Sequence, residues 1–289
     1  MSGTGKTLKS RVWQAAQPLA IAAGRWNAET RVLPDFLIVG AQRAGTTSLH
    51  EWLARHPAVR FPRLGKGVHY FDTASQHSPS WYRAHFPRRA AIVNCRDEFG
   101  PTAVGEASPY YLFHPAVPGR VHALLPDVRY IAILRDPVSR AWSHYQHEVR
   151  RGHETRDFVT ALTQESDALG AVTAHDLERP GFVSYEHQHH SYLSRGRYAE
   201  QLERWFSIVG RERGLVLVNH ELFAADGSGG RAVLDLLGLE PRDLGSFPRE
   251  NATTGGPMPE EARARLDEHF VDEADRVSEL LGRPVRWKA

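Results

Sequence analysis

The chain of 289 residues carries 36 Lys and Arg against 34 Asp and Glu, 41% hydrophobic residues and a single cysteine, Cys95. This composition excludes wholesale disorder, and a lone cysteine excludes an internal disulfide framework or a thiolate zinc site. A net charge of +2 supplies no global field for nucleic acid or an acidic bilayer, so any anionic ligand must be gripped by locally placed residues.

Residues 1–33 read as a basic, helical N-terminal extension and residues 34–289 as one domain. The apolar stretch Val12 to Ala23 is interrupted by Gln14, Gln17 and Pro18, which favours a surface-packed helix over a signal peptide. Gly3-Thr4-Gly5-Lys6-Thr7 ends like a phosphate-binding P-loop but lacks the first glycine and a preceding strand, and it reads as a disordered start. With no apolar run long enough to span a bilayer and only one cysteine, a cytoplasmic protein is expected. The basic residues include only Lys6, Lys9, Lys66 and Lys288 as lysines, the usage of a GC-rich bacterial genome.

From Pro34 onward, strands alternate with helices. Asp35 to Gly40 is a short apolar run of the buried-strand kind, and Leu49, Trp52 and Leu53 recur at helical spacing until Pro57. A second buried strand, Val128 to Leu134, leads into a helix from Asp136 to Arg151 with Pro137 in its first turn. Further helices are expected at Tyr198 to Val209 and Glu260 to Leu281, and another core strand at Leu215 to Val218. The stretch Gly170 to His190 lacks periodicity and reads as an insertion or active-site loop. This alternation predicts an α/β fold with a parallel sheet and ligands outside the strands' carboxyl ends.

Gly40-Ala41-Gln42-Arg43-Ala44-Gly45-Thr46-Thr47-Ser48 follows one buried strand and opens a helix, the outline of a phosphate cradle built from backbone N–H groups. An ATP-binding loop would carry Lys where Thr46 stands; here the cation comes earlier, as Arg43. The expected ligand is therefore a monophosphate or phosphosulfate. At the end of the second strand Arg135 can grip a phosphate in bidentate fashion, with Ser143 two helical turns further on; a surface salt bridge to Asp136 is the competing reading.

With these two loops the sequence resembles the 3′-phosphoadenosine-5′-phosphosulfate (PAPS) dependent sulfotransferases, and bacterial members related to the heparan sulfate N- and 3-O-type among them. Phe36 to Leu53 resembles the 5′-phosphosulfate motif and Tyr130 to Tyr145 the 3′-phosphate motif. Lys66 to Asp72, Gly105 to Tyr111, Tyr192 to Tyr198 and Leu281-Gly282-Arg283 with Trp287 follow in family order. The resemblance implies a P-loop-like three-layer fold, a central parallel sheet flanked by helices. It also implies sulfonate transfer from PAPS to a hydroxyl or amine of a carbohydrate or small molecule, without metal, nucleic acid or a membrane-integral segment. By the same resemblance Gln42, Arg43, Ala44, Gly45, Thr46, Thr47 and Ser48 bind the 5′-phosphosulfate, and Arg135 and Ser143 the 3′-phosphate.

Two departures concern catalysis. Arg43 occupies the position of the family's usual catalytic lysine and, as a guanidinium, suits charge stabilisation rather than proton donation. The family's usual base, a glutamate, is Gly67 here, and a lysine common after Glu106 is Ala107. His69 is the first substitute base because its ordinary pKa suits neutral pH, Glu106 the second and Asp72 the third; Lys66 is expected beside the transferring sulfonate. A core histidine bonded to backbone is the competing reading of His69. His187-Gln188-His189-His190 and His144-Tyr145-Gln146-His147-Glu148 match no zinc motif, and surface or acceptor-loop histidines are expected. Trp81, Tyr82, Tyr110 and Tyr111 could line a sugar- or ring-binding cleft or pack in the core. Two alternative functions stay open at this point: a nucleotide-dependent kinase or NTPase, or a catalytically degenerate nucleotide-binding protein.

Overall fold

The computed structural model describes residues 21–22, 24–63, 65–248 and 256–287. The N-terminal P-loop-like run and most of the helix expected over Val12 to Ala23 lie outside these residues. Five parallel strands, β1 (Phe36–Gly40), β2 (Val59–Arg60), β3 (Ala103–Ala107), β4 (Arg129–Leu134) and β5 (Gly214–Val218), form one sheet in the order β2-β3-β1-β4-β5. All five residues of β1 are buried, as expected of a strand covered on both faces, and β1, β4 and β5 stand where their apolar runs place them. β3 escapes the sequence reading, because Ala103-Val104-Gly105-Glu106-Ala107 carries a glycine and a glutamate, yet every residue of it is buried.

The helices follow in chain order. First come α1 (Thr46–Leu53), α2 (Pro79–Arg83), α3 (Arg89–Phe99) and α4 (Val117–Leu124). Next are α5 (Pro137–Arg151), α6 (Phe158–Gly170), α7 (Ala174–Glu178) and α8 (Tyr185–His189). Last are α9 (Tyr198–Trp205), α10 (Asn219–Leu222), α11 (Ser228–Leu237), α12 (Glu260–His269) and α13 (Glu273–Leu281). α5 starts where Asp136 accepts the Ser139 N–H at 3.2 Å, with Pro137 at its first position. Most of the core gathers around the sheet, and a second apolar cluster of Val138, Phe158, Leu162, Tyr192, Leu266 and Phe270 joins α5, α6 and α12.

Three sequence expectations are corrected. The 170–190 stretch contains α7 and α8, each capped by its own hydroxyl, Thr173 and Ser184. The helix from Tyr198 ends at Trp205 and continues as a π-turn over Phe206–Gly210. The single helix expected over 260–281 divides into α12 and α13. At the break Phe270 turns inward to 5% exposure, Asp272 accepts from Arg197 at 2.7 Å and Glu273 accepts the Ala199 N–H at 2.8 Å. Docking onto the 196–199 corner outweighs the one or two backbone hydrogen bonds that an unbroken helix would add.

Candidate active site

The cradle forms at the carboxyl end of β1, beside the point where the chain's crossovers change direction between β1 and β4. Gly45, at φ 115°, sits at the N-cap of α1, where no side chain caps the helix. The first N–H groups of α1 are thus left for a ligand, and the helix dipole favours an anion there. Asn219 Nδ2 donates to the Ala44 carbonyl at 2.6 Å and Arg135 Nη1 to the Arg43 carbonyl at 3.2 Å, pinning the loop from two further strand ends. Arg43 adopts φ 70°, a left-handed conformation that costs a non-glycine residue about 1 kcal/mol.

Positive charge concentrates on this loop. Arg43 Nε donates to Ser143 Oγ at 3.1 Å, and burial with the neighbouring Arg150 and Arg135 pushes its pKa down to about 10. Lys66 Nζ donates to Thr46 Oγ1 at 3.1 Å and Thr47 Oγ1 at 3.0 Å; burial, opposed in part by Glu51, brings its pKa down to about 8. Both remain cations at neutral pH, and Lys66 is the one whose proton is transferable there. A cleft of about 1120 Å³ opens from Arg43–Ser48 and Arg135 towards Phe223, Arg231 and the 241–248 segment. On its wall Trp52 stacks on Phe247 with centroids 4.6 Å apart and planes 25° apart. α1 and the residues just after it hold this far wall: Trp52 Nε1 donates to the Gly245 carbonyl at 2.9 Å, and Arg55 Nη1 to the carbonyls of Leu244 at 3.0 Å and Ser246 at 2.9 Å.

The segment 66–72 faces the loop. His69, with φ 56° and a 42% exposed side chain, has Nδ1 2.8 Å from Oδ2 of the fully buried Asp72. Burial alone would lower the imidazole pKa, but the charge and hydrogen bond of Asp72, with Glu106 beyond, outweigh it and raise the pKa. With Nδ1 donating to Asp72, Nε2 is the nitrogen able to accept a proton. Glu106 is 0% exposed and its carboxylate accepts the Val68 N–H at 2.7 Å, the Tyr82 hydroxyl at 2.8 Å, the Tyr111 hydroxyl at 2.9 Å and the Ser108 hydroxyl at 3.3 Å. Burial raises its pKa while these donors favour the charged form. Glu106 is thus a buried anchor for the segment that carries His69, with no surface for an acceptor to reach.

Gly67 packs against β3 so closely that a Cβ there would lie 2.4 Å from the Ala107 carbonyl oxygen and 2.5 Å from Ser108 Oγ. No side chain fits at this position. The 171–190 segment lies against the same region: the Gly181 N–H donates to Ser75 Oγ at 3.0 Å, and Arg120 ties the Phe71 carbonyl, at 2.8 Å, to those of Leu177 and Glu178.

Of the residues named from sequence, Arg43, Gly45, Thr46, Thr47, Ser48, Lys66 and Arg135 converge on the cradle, and Ala44 contributes backbone. Ser143, 1% exposed, joins through the Arg43 guanidinium. Gln42 Oε1 accepts from Arg195, a buried guanidinium stacked over Tyr110 at 4.7 Å and Phe113 at 5.1 Å. Tyr82, Tyr110 and Tyr111 are core residues, at 0%, 7% and 0% exposure. Sequence reasoning missed Trp52 and Phe247, which are far apart in the chain and have no local signature, and ranked Asp72 below the histidine it supports.

A parallel α/β sheet carrying an anion cradle, converging cations and an aromatic wall at its carboxyl edge defines a phosphate-binding α/β protein of the P-loop-like kind. The chain belongs to the sulfotransferase family, whose domain model matches residues 33–240, which places it among the transferases and leaves the kinase or NTPase alternative without support. It is 31% identical to human heparan sulfate glucosamine 3-O-sulfotransferase 6, over 85% of this chain and 63% of that protein. It is 22% identical to the membrane-associated sulfotransferase kil1 of Dictyostelium discoideum, over 89% of this chain and 67% of that protein. The chain therefore spans about two thirds of the length of these curated relatives, at 63% and 67%. The crystal structure of a sulfotransferase from Alicyclobacillus acidocaldarius superposes with a TM-score of 0.64 at 27% identity, covering 88% of this chain and 98% of that one. Among the described residues no helix is long and apolar enough to cross a membrane.

Proposed function

We propose that the protein transfers a sulfonate group from PAPS to a hydroxyl or amine of a carbohydrate or small-molecule acceptor. The observation that carries this reading is the gathering of Arg43, Arg135 and Lys66 at the uncapped N-terminus of α1, Lys66 belonging to the segment that carries the His69–Asp72 pair. The residues present fit the donor: backbone N–H groups and Thr46, Thr47 and Ser48 for the 5′-phosphosulfate, Arg135 for the 3′-phosphate, and the Trp52–Phe247 wall for the base. When bound, the donor supplies a sulfuryl group on a phosphate leaving group. His69 Nε2 takes the acceptor proton as the acceptor oxygen or nitrogen bonds to sulfur. Asp72 holds the tautomer and stabilises the imidazolium that results. Lys66 delivers its proton or charge to the bridging oxygen released as the S–O bond breaks, and Arg43 stabilises the equatorial oxygens by charge alone. Arg43 is thus relieved of proton donation by a lysine reaching in from the facing segment. Glu106 acts through His69 as a positioning residue.

The buried, unpaired Cys95 supports a cytoplasmic setting. The reading is tested by incubating the protein with sulfur-labelled PAPS and a panel of amino sugars, oligosaccharides, phenols and aliphatic alcohols. Label should move to at least one acceptor class, with adenosine 3′,5′-bisphosphate formed in equal amount. Tight binding of that nucleotide with no transfer to any acceptor would favour the degenerate reading instead.

A further inference from the structure

The two histidine-rich segments match no metal motif separately, and a metal was not expected from the sequence. The fold brings members of both together. Glu148 lies in the last turn of α5, which closes on Gly152 in the left-handed conformation, φ 75° and ψ 17°. That turn folds the chain back so that the His153 N–H donates to the Glu148 carbonyl at 2.9 Å, setting the two side chains next to each other. His189 is the last residue of α8. His190, which follows it, donates from Nε2 to the His153 carbonyl at 2.8 Å, and the Tyr185 hydroxyl donates to the same oxygen at 3.2 Å. The rings of His153 and His189 consequently stack, centroids 4.2 Å apart and planes 23° apart.

We propose that Glu148, His153 and His189 form a binding site for one first-row divalent cation of the Zn²⁺ type, which clamps the 171–190 segment to the end of α5. One ligand atom from each of the three lies within 4.8 Å of the other two, and His189 Nδ1 is 2.9 Å from Glu148 Oε2. Ligands about 2.0–2.1 Å from a tetrahedral ion stand roughly 3.3 Å apart, a spacing that small side-chain rotations reach from here. Two imidazoles and one carboxylate make a borderline-soft set suited to Zn²⁺ or Co²⁺ and poorly suited to Mg²⁺ or Ca²⁺, which take oxygen ligands. A second feature has the form of an outer shell. His144, 0% exposed, places Nε2 3.4 Å from Glu148 Oε1 without hydrogen-bond alignment, and both its ring nitrogens lack hydrogen-bond partners. A buried imidazole with unpartnered nitrogens beside the carboxylate's second oxygen is placed to hydrogen-bond that oxygen once the first one ligates an ion, as ligating carboxylates are commonly held. Because Arg120 and Gly181 already join the 171–190 segment to the His69–Asp72 region, a cation here would stiffen one wall of the acceptor side.

The test uses the full chain freed of metal by chelation, titrated with ZnCl₂ by calorimetry and with CoCl₂ by visible absorption. Binding of one equivalent is expected, with the d–d bands of a four-coordinate cobalt site. His153→Ala and His189→Ala should each weaken binding by about 100-fold or more, since removing even an outer-shell partner costs 10–100-fold. Glu148→Gln, nearly isosteric, should do the same, and thermal melts check that all three fold. His175→Ala, exposed on α7, should bind as wild type. In the wild type, Zn²⁺ should slow amide exchange across residues 171–190. Absence of Zn²⁺ and Co²⁺ binding at micromolar concentration, or undiminished binding in all three variants, would overturn the site; binding without slowed exchange would overturn the clamp. None of these readouts depends on sulfonate transfer.

Discussion

Placing at position 67 the glutamate that the family resemblance implies there should damage this protein. A Cβ on Gly67 would stand 2.4 Å from the Ala107 carbonyl oxygen and 2.5 Å from Ser108 Oγ, so β3 or the 66–72 segment must move by roughly 1 Å to reach the ordinary contact range. Overpacking of this kind costs about 1–3 kcal/mol. The shift also loosens the Ala107 N–H bond to the Lys66 carbonyl, 3.0 Å, and the His69 N–H bond to Ser108 Oγ, 3.2 Å, at about 1 kcal/mol each. The sum, about 3–5 kcal/mol, corresponds to a fall in Tm of roughly 6–20 °C for a domain of this size. Scanning calorimetry on wild type, Gly67→Ala and Gly67→Glu measures it. Both variants should melt early, and both should lose transfer activity because Lys66 and His69 flank the displaced residue. A Gly67→Glu protein that melts within about 2 °C of wild type, or that transfers sulfonate faster, would refute the steric argument and return the base to position 67.

Arg135→Ala should weaken binding of adenosine 3′,5′-bisphosphate by about 1.5–3 kcal/mol, the scale of a charge-assisted hydrogen bond, measured by calorimetry. Trp52→Ala should weaken the same nucleotide by about 1–3 kcal/mol through lost stacking, without moving the pH profile. The profile of kcat/KM should be bell-shaped. Its acid limb follows His69, which must lose its proton to act and whose pKa stands above the ordinary 6.5; its alkaline limb follows Lys66, which must keep its proton and loses it at about 8. Asp72→Asn removes the charge that raises His69, so the acid limb should move to lower pH while turnover falls about 10²-fold or more and nucleotide affinity stays unchanged.

Contiguous signals were readable in the sequence, and long-range ones were not. β1, β4 and β5 are uninterrupted apolar runs, and the cradle from Gln42 to Ser48 is one stretch of chain, so each announces itself locally. β3 does not, because its glutamate is tolerable in a buried strand only once Tyr82, Tyr111, Ser108 and the Val68 N–H converge on it. The 260–281 helix keeps its apolar spacing through Phe270, and only the 196–199 corner, distant in sequence, breaks it. Within the site, the same distinction separates Arg43 from Trp52 and Phe247. It also separates the histidine runs, unconvincing as motifs, from the juxtaposition that a left-handed turn at Gly152 creates.

α1 touches the two ends of the cleft at once. Its first turn presents N–H groups to an anion, and Trp52 in its last turn, with Arg55 just past its end, fastens the aromatic wall 241–248. Eight residues at 1.5 Å each make a rod of about 12 Å, so the interval between charged end and ring-binding end is fixed by helix geometry rather than by a movable loop. Under the proposed seating of the donor, α1 therefore sets a length for the ligand: a nucleotide with an extra phosphate in its chain should overshoot one end when seated at the other and bind more weakly than adenosine 3′,5′-bisphosphate.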